Sequence, residues 1–342
     1  MMRTSAPGRS AGIAVALVSA VAFGGSGVAA KPLLDAGVPP FDMVWLRVAG
    51  AALVLLPVAA RHAWVVRRRP RVLVGFGLLG IAGVQTCYFS AISDIPVGVA
   101  LLLEYLAPPL ILGWVRFVQR KPVTRAAALG AVVAVAGLAC VVEVWAGLGG
   151  LRPVGVLLGL GAACCQVGYF LFSEAASDPG ADGRTVPPLA LTAWGMIFGA
   201  VVMTALARPW GLHWAVLGRT VPMGGLHAPA WLLLAWVVLI ATVLAYLTGI
   251  AAIGMLSPAV AGVVACLEAV VAAVGSWIML DQRLALPQVV GGLLVLTGAL
   301  IAQSGPNSGT RQGDWANAEA VDRFGSGIPD SIDSAPAPRH HR

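Results

Sequence analysis

Three ionisable residues lie where a lipid bilayer makes charge expensive: Arg47, Glu104 and Glu268. Each is set inside a long apolar run, and a charge there costs about 2.5–3.5 kcal/mol on insertion scales. A carboxyl group kept at that cost can carry a proton or hold a cationic group of a substrate. It can also tie helices together through a hydrogen bond or an ion pair. Both readings stand for Glu104 and Glu268. Arg47 has three readings: a side chain that snorkels to the interface, a structural partner of a carboxylate, or a site for a substrate carboxylate.

Around these charges the apolar runs hold semi-polar residues. All four tyrosines, Tyr88, Tyr105, Tyr169 and Tyr246, fall inside such runs, as do Gln85, Gln166, Trp114, Trp236 and Thr242. They either pack between helices or line a cavity. Tyr88, Tyr105, Tyr246 and Gln85 are the candidates for binding a substrate beside the carboxylates. Pro108 and Pro109 follow Glu104 by one turn, and a proline frees a backbone carbonyl in the turn before it. With Pro258 they are candidate hinges; the alternative is a static kink.

Enzyme chemistry finds no support. There is no Walker loop, and the glycines from Gly75 to Gly80 sit in an apolar run rather than in a phosphate-binding turn. The five cysteines have no metal spacing and read as small hydrophobes. No cofactor and no metal are expected.

The elements that position these residues follow from composition. Of 342 residues, 58% are hydrophobic and 11% charged, against about a quarter charged in soluble domains. Mean hydropathy is +0.86. A disordered chain and a soluble enzyme are excluded, and the 42 glycines lack the three-residue period of collagen. The apolar runs are continuous rather than alternating, which excludes a membrane β-barrel. The expectation is an all-α polytopic membrane protein. Its ten transmembrane helices fall near 11–30, 42–60, 72–92, 95–118, 126–145, 154–173, 188–207, 230–250, 254–280 and 287–303. Arg3 and Arg9 before the first run, with Val28-Ala29-Ala30 at its end, resemble a signal peptide. The run to Lys31 is long enough to span, and we read it as uncleaved.

The net charge of +7 does not point to nucleic acid. Thirteen of the 22 basic residues precede position 130. Most of them fall at the chain start, between the second and third runs (Arg61 to Arg71), or between the fourth and fifth (Arg116 to Arg125). That asymmetry places residues 1–10 in the cytoplasm. Ten spans return the C-terminus there, in the cell (cytoplasmic) membrane. From residue 304 the chain is rich in Ser, Gly, Pro, Asp and Asn, and 304–342 reads as a disordered cytoplasmic tail.

A shift of 161 residues aligns the two halves. Ala91-Ile92 meets Ala252-Ile253, Val99-Ala100 meets Val260-Ala261, and Leu106 meets Leu267. Gly130 meets Gly291 and Gly137 meets Gly298. Five spans per half is odd, so the halves, 11–145 and 154–303, are inverted relative to each other. Inverted repeats mark secondary transporters with a site near the midplane. Glu268 aligns with Ala107, nearly one helical turn beyond Glu104, so both carboxylates fall on similar faces of matched helices.

Two stretches carry a family resemblance. Gly98-Val99-Ala100-Leu101-Leu102-Leu103-Glu104-Tyr105-Leu106-Ala107-Pro108-Pro109 resembles the fourth span of EamA-domain proteins of the drug/metabolite transporter superfamily. Leu256-Ser257-Pro258-Ala259-Val260-Ala261, Leu267-Glu268-Ala269-Val270-Val271 and Gly291-Gly292 resemble the ninth span and the start of the tenth. The family often has Glu-Pro where this chain has Glu268-Ala269, and Glu where it has Asp281. The resemblance covers 11–303 and implies ten helices, two EamA repeats and export of small metabolites or amino acids. The expected partners are a small-molecule substrate and the lipid bilayer, with proton coupling through the carboxylates. Uptake and a non-transporting membrane partner or sensor are the rival readings.

Overall fold

The computed structural model describes residues 9–120, 122–146, 150–179, 183–212, 214–255 and 258–303. Expectations for the first eight residues, for Leu256 and Ser257 and for the tail from 304 lie outside them. Among the described residues, eight helices are long and apolar enough to cross a bilayer. They are α1 (Ala11–Asp35), α2 (Pro40–Arg61), α3 (Pro70–Asp94), α4 (Val97–Val118), α5 (Arg125–Ala146), α6 (Pro153–Ser177), α7 (Pro188–Ala207) and α8 (Ala230–Ala252). Two further apolar helices follow, α9 (Pro258–Leu280) and α10 (Leu286–Gln303).

The bundle is turned inside out relative to a soluble protein. Large apolar side chains such as Leu53, Val132, Leu157 and Ile278 are exposed on its outside, as lipid requires. Small residues sit where helices meet and let backbones approach. α1 packs on α8 and α9, α2 on α7, α3 on α6, and α5 on α10. The first half of α4 lies between α6 and α9. The Val97 N–H, at the start of α4, donates to Gln282 Oε1 at 3.0 Å, from the turn between α9 and α10. Beside it, a Cβ on Gly98 would lie 3.3 Å from the Ala273 Cα. An Arg152–Asp94 ion pair ties the start of α6 to the end of α3.

Four local features depart from the expectations. First, α1 runs to Asp35, past its expected end at residue 30 and the charge at Lys31. Lys31 is accommodated because its Nζ pairs with Asp35 Oδ1, four residues on, at 2.7 Å. The helix stops at Gly37, whose φ of +95° suits a left-handed cap. Gly37 N–H donates to the Leu34 carbonyl and Val38 N–H to that of Leu33, the paired bonds of a Schellman ending.

Second, the chain is not wholly α. The loop before α8 contains a hairpin, β1 (Thr220–Met223) paired antiparallel with β2 (Leu226–Pro229). Its Gly224-Gly225 turn needs glycine twice over. Gly224 has φ +61°, and a Cβ there would lie 2.8 Å from the Met279 carbonyl oxygen at the end of α9. Asp281, just past that end, adopts φ +53°, a conformation that Asp tolerates better than most residues.

Third, three helices contain π-helical segments: Phe76–Gly83 in α3, Trp114–Val118 in α4 and Trp236–Leu244 in α8. An apolar run in which every face is covered by protein or lipid has no polar stripe to report such a change of period. Fourth, α4 is broken. Helix runs Val97–Glu104, turns at Tyr105 and Leu106, and restarts as Ala107–Gly113.

Candidate functional site

The break in α4 builds the site. Leu106 N–H reaches back only to the Leu103 carbonyl, at 3.1 Å, a tighter turn than an α-helix makes. Pro108 and Pro109 occupy the first turn of the restarted helix, where a missing N–H disturbs least. The bend therefore falls at Tyr105–Leu106, ahead of both prolines. Their contribution is indirect: neither can donate to the carbonyls of Glu104 and Tyr105, four residues earlier. Pro258 begins α9, and its side chain lies outside the described ones.

α9 brings the second carboxylate to the same place. Its backbone is pressed against α1, where a Cβ on Gly24 would lie 2.6 Å from the Glu268 carbonyl oxygen. The Tyr105 hydroxyl is within hydrogen-bonding reach of the Glu268 carboxylate. Glu104 and Glu268 are close enough for their charges to interact. Glu104, Tyr105 and Glu268 are only half-buried although they lie deep among the helices. That combination describes a recess between helices. Tyr88 is buried against Gly27 of α1. Tyr246 meets Phe23 edge-on, with centroids 5.0 Å apart, and stands within electrostatic range of Arg47 and both carboxylates.

Arg47 does not snorkel, and it does not take a carboxylate as its direct partner. It is 3% exposed. Its Nε donates to Thr242 Oγ1 at 2.7 Å, Nη1 to Ser26 Oγ at 2.6 Å and Nη2 to the Ala241 carbonyl at 3.1 Å. The guanidinium also stacks over the Phe89 ring, 5.4 Å from its centroid. Thr242 Oγ1 in turn donates to the Val237 carbonyl, five residues back, at 2.7 Å. Arg47 thereby clamps α2 to α1 and to the π segment of α8. Buried charge is tolerated where hydrogen bonds replace water.

Other candidates separate from this cluster. Trp114 and Trp236 are 41% and 43% exposed, and a Cβ on Gly25 of α1 would lie 3.4 Å from the Trp236 Nε1. Tyr169 packs on Phe76, with centroids 5.0 Å apart. Gln85 is half-buried on α3, one turn from Tyr88. Ser26 went unrecognised in the sequence. The available signal was a hydroxyl within Gly24-Gly25-Ser26-Gly27, where glycines on both sides leave room for a long side chain from another helix.

Membrane-length helices enclosing carboxylates, a tyrosine and a clamped arginine define a multi-pass integral membrane protein with a polar interior. The chain belongs to the EamA-like transporter family, whose profile matches residues 10–143 and 153–303. It is 23% identical over 301 residues to a Salmonella typhimurium protein named "Uncharacterized inner membrane transporter YicL", covering 83% of this chain and 92% of that one. A solved crystal structure, titled only as that of a protein, shares the fold with a TM-score of 0.55 at 22% identity. The match covers 86% of this chain and 97% of that one.

Proposed function

We propose that this protein is a secondary transporter that exports small amino-acid-like or amphipathic solutes across the cytoplasmic membrane. It works by alternating access between two inverted five-helix repeats, 11–145 and 154–303. The observation that carries the reading is the recess at the break in α4. Carboxylates from α4 and α9 lie there with the Tyr105 hydroxyl. These acceptors suit an amino or other cationic group. The aromatic rings of Tyr88, Tyr105 and Tyr246 suit an apolar body. Glu104 and Glu268 are the groups we assign to proton coupling.

Two packing relationships support the repeat. The π segment Phe76–Gly83, moved by the 161-residue shift, falls on 237–244, within the π segment Trp236–Leu244. α2 packs on the π segment of α8, and α7 packs on that of α3. On this reading α9 and α10 are the ninth and tenth spans, and both termini are cytoplasmic.

The test is counterflow in vesicles of purified protein. A saturable exchange of some amino acid or amine, weakened by Tyr105→Ala or Tyr246→Ala, is the expected result. Linear flux points to a channel. No flux across a broad amino-acid and amine panel points to a sensor or partner.

A further inference from the structure

α3 and α6 run antiparallel along a close seam, and each brings a thiol to it. A Cβ on Gly161 would lie 3.3 Å from the Cys87 sulfur, and a Cβ on Gly83 would lie 3.0 Å from the Cys165 sulfur. Each sulfur thus rests on a glycine of the opposite helix, one turn from the opposite cysteine. Helical side chains tilt toward the N-terminus of their own helix. Because these two helices run in opposite directions, Cys87 tilts toward the level of Cys165, and Cys165 toward that of Cys87. The two thiols thus approach each other across the seam. Both are half-buried, and both lie within electrostatic range of Glu104.

We propose that Cys87 and Cys165 form a two-thiolate site for a soft, two-coordinate cation of the mercury and coinage-metal class. Soft cations select thiolates over carboxylates and carbonyls. A two-coordinate ion needs no third ligand, and among the described residues no group of three His, Cys, Asp or Glu surrounds one point. Zinc, which takes four ligands in structural sites, does not fit. Two thiols that approach across one seam can seat an ion about 2.3 Å from each sulfur, a common metal–thiolate length. The chemistry balances without an oxidant. Mercuric ion and two thiols give a neutral bis-thiolate and release two protons to water. No net charge remains in the low-dielectric interior, which would resist one. The ion bridges α3 and α6 beside Glu104. The site stands or falls on binding alone, independently of transport.

The probe is Hg2+, titrated into full-length purified protein with Cys140, Cys164 and Cys266 replaced by serine, in excess monothiol. One equivalent stays bound, with the ultraviolet charge-transfer absorbance of a mercury bis-thiolate. Cys87→Ser and Cys165→Ser each weaken retention by about a hundredfold, because the second thiolate no longer binds intramolecularly. In the unsubstituted five-cysteine chain, one equivalent protects Cys87 and Cys165 together from alkylation. Zn2+ is not retained. Failure of the folded protein to hold Hg2+, equal retention in either single variant, or protection of one cysteine without the other overturns the proposal.

Discussion

Gly130 and Gly298 face each other so closely that neither has room for a side chain. A Cβ on Gly130 would lie 2.6 Å from the Gly298 carbonyl oxygen, and one on Gly298 would lie 2.5 Å from that of Gly130. Gly137 and Gly291 make the same contact at 2.7 and 2.6 Å. Under the 161-residue shift Gly130 becomes Gly291 and Gly137 becomes Gly298. On the repeat proposed above, the two contacts are one contact made twice, with the partners exchanged.

Alanine at any of these four glycines should destabilise the bundle by about 1–3 kcal/mol, the usual cost of overpacking. Thermal unfolding in detergent measures it. Gly130→Ala with Gly298→Ala should cost less than the sum of the two, because both strain one contact. Unchanged melting in all four variants would remove the seam as a structural element.

The Arg47 clamp predicts a conditional effect. Ser26→Ala or Thr242→Val should cost about 1–3 kcal/mol, since each strips an acceptor from a buried guanidinium. In an Arg47→Met background the same changes should be close to neutral, because no donor is left stranded. Equal costs in both backgrounds would show that the hydroxyls act without Arg47.

Glu104→Gln and Glu268→Gln should insert normally and lose the pH dependence of transport. A carboxyl group that carries the coupled proton must change protonation during the cycle, and an amide cannot. Flux across a pH series in vesicles checks this. An unchanged pH response in both variants assigns the carboxylates a structural role.

Topology gives a fourth prediction. Arg67 and Leu226 are exposed, which suits labelling. In a cysteine-free background, Arg67→Cys should react from the cytoplasm and Leu226→Cys from outside. The reverse pattern would invert the proposed orientation.

Much of the fold was legible because lipid imposes a strong rule on sequence. The charge gaps located the helices to within a few residues, and the cost of membrane charge singled out Glu104 and Glu268. The misses share a physical cause. Arg47 finds its acceptors on Ser26 and Thr242, on other helices, and spacing along one helix carries no trace of such a triangle. The approach of Cys87 and Cys165 depends on the antiparallel register of α3 and α6, which spacing along one helix does not record. The π segments escaped notice because a helix apolar on every side has no stripe to shift. The hairpin had a readable sign in Gly224-Gly225, but strands of four residues in a loop between apolar runs carry too little alternation to read.

The bond from Val97 N–H to Gln282 Oε1 sets a mechanical contrast with the Arg47 clamp. It lies near a helix terminus, where water can take the place of either partner. A neutral bond of that kind contributes only about 0.5–1.5 kcal/mol net, so parting it leaves little unsatisfied. The guanidinium has no such substitute, and pulling α2 away from α8 would strand two donors in a dry interior. The joint where α4 meets the α9–α10 turn therefore costs less to part than the one at Arg47. A pivot needs both: one seam that yields and one that holds its place while the other opens.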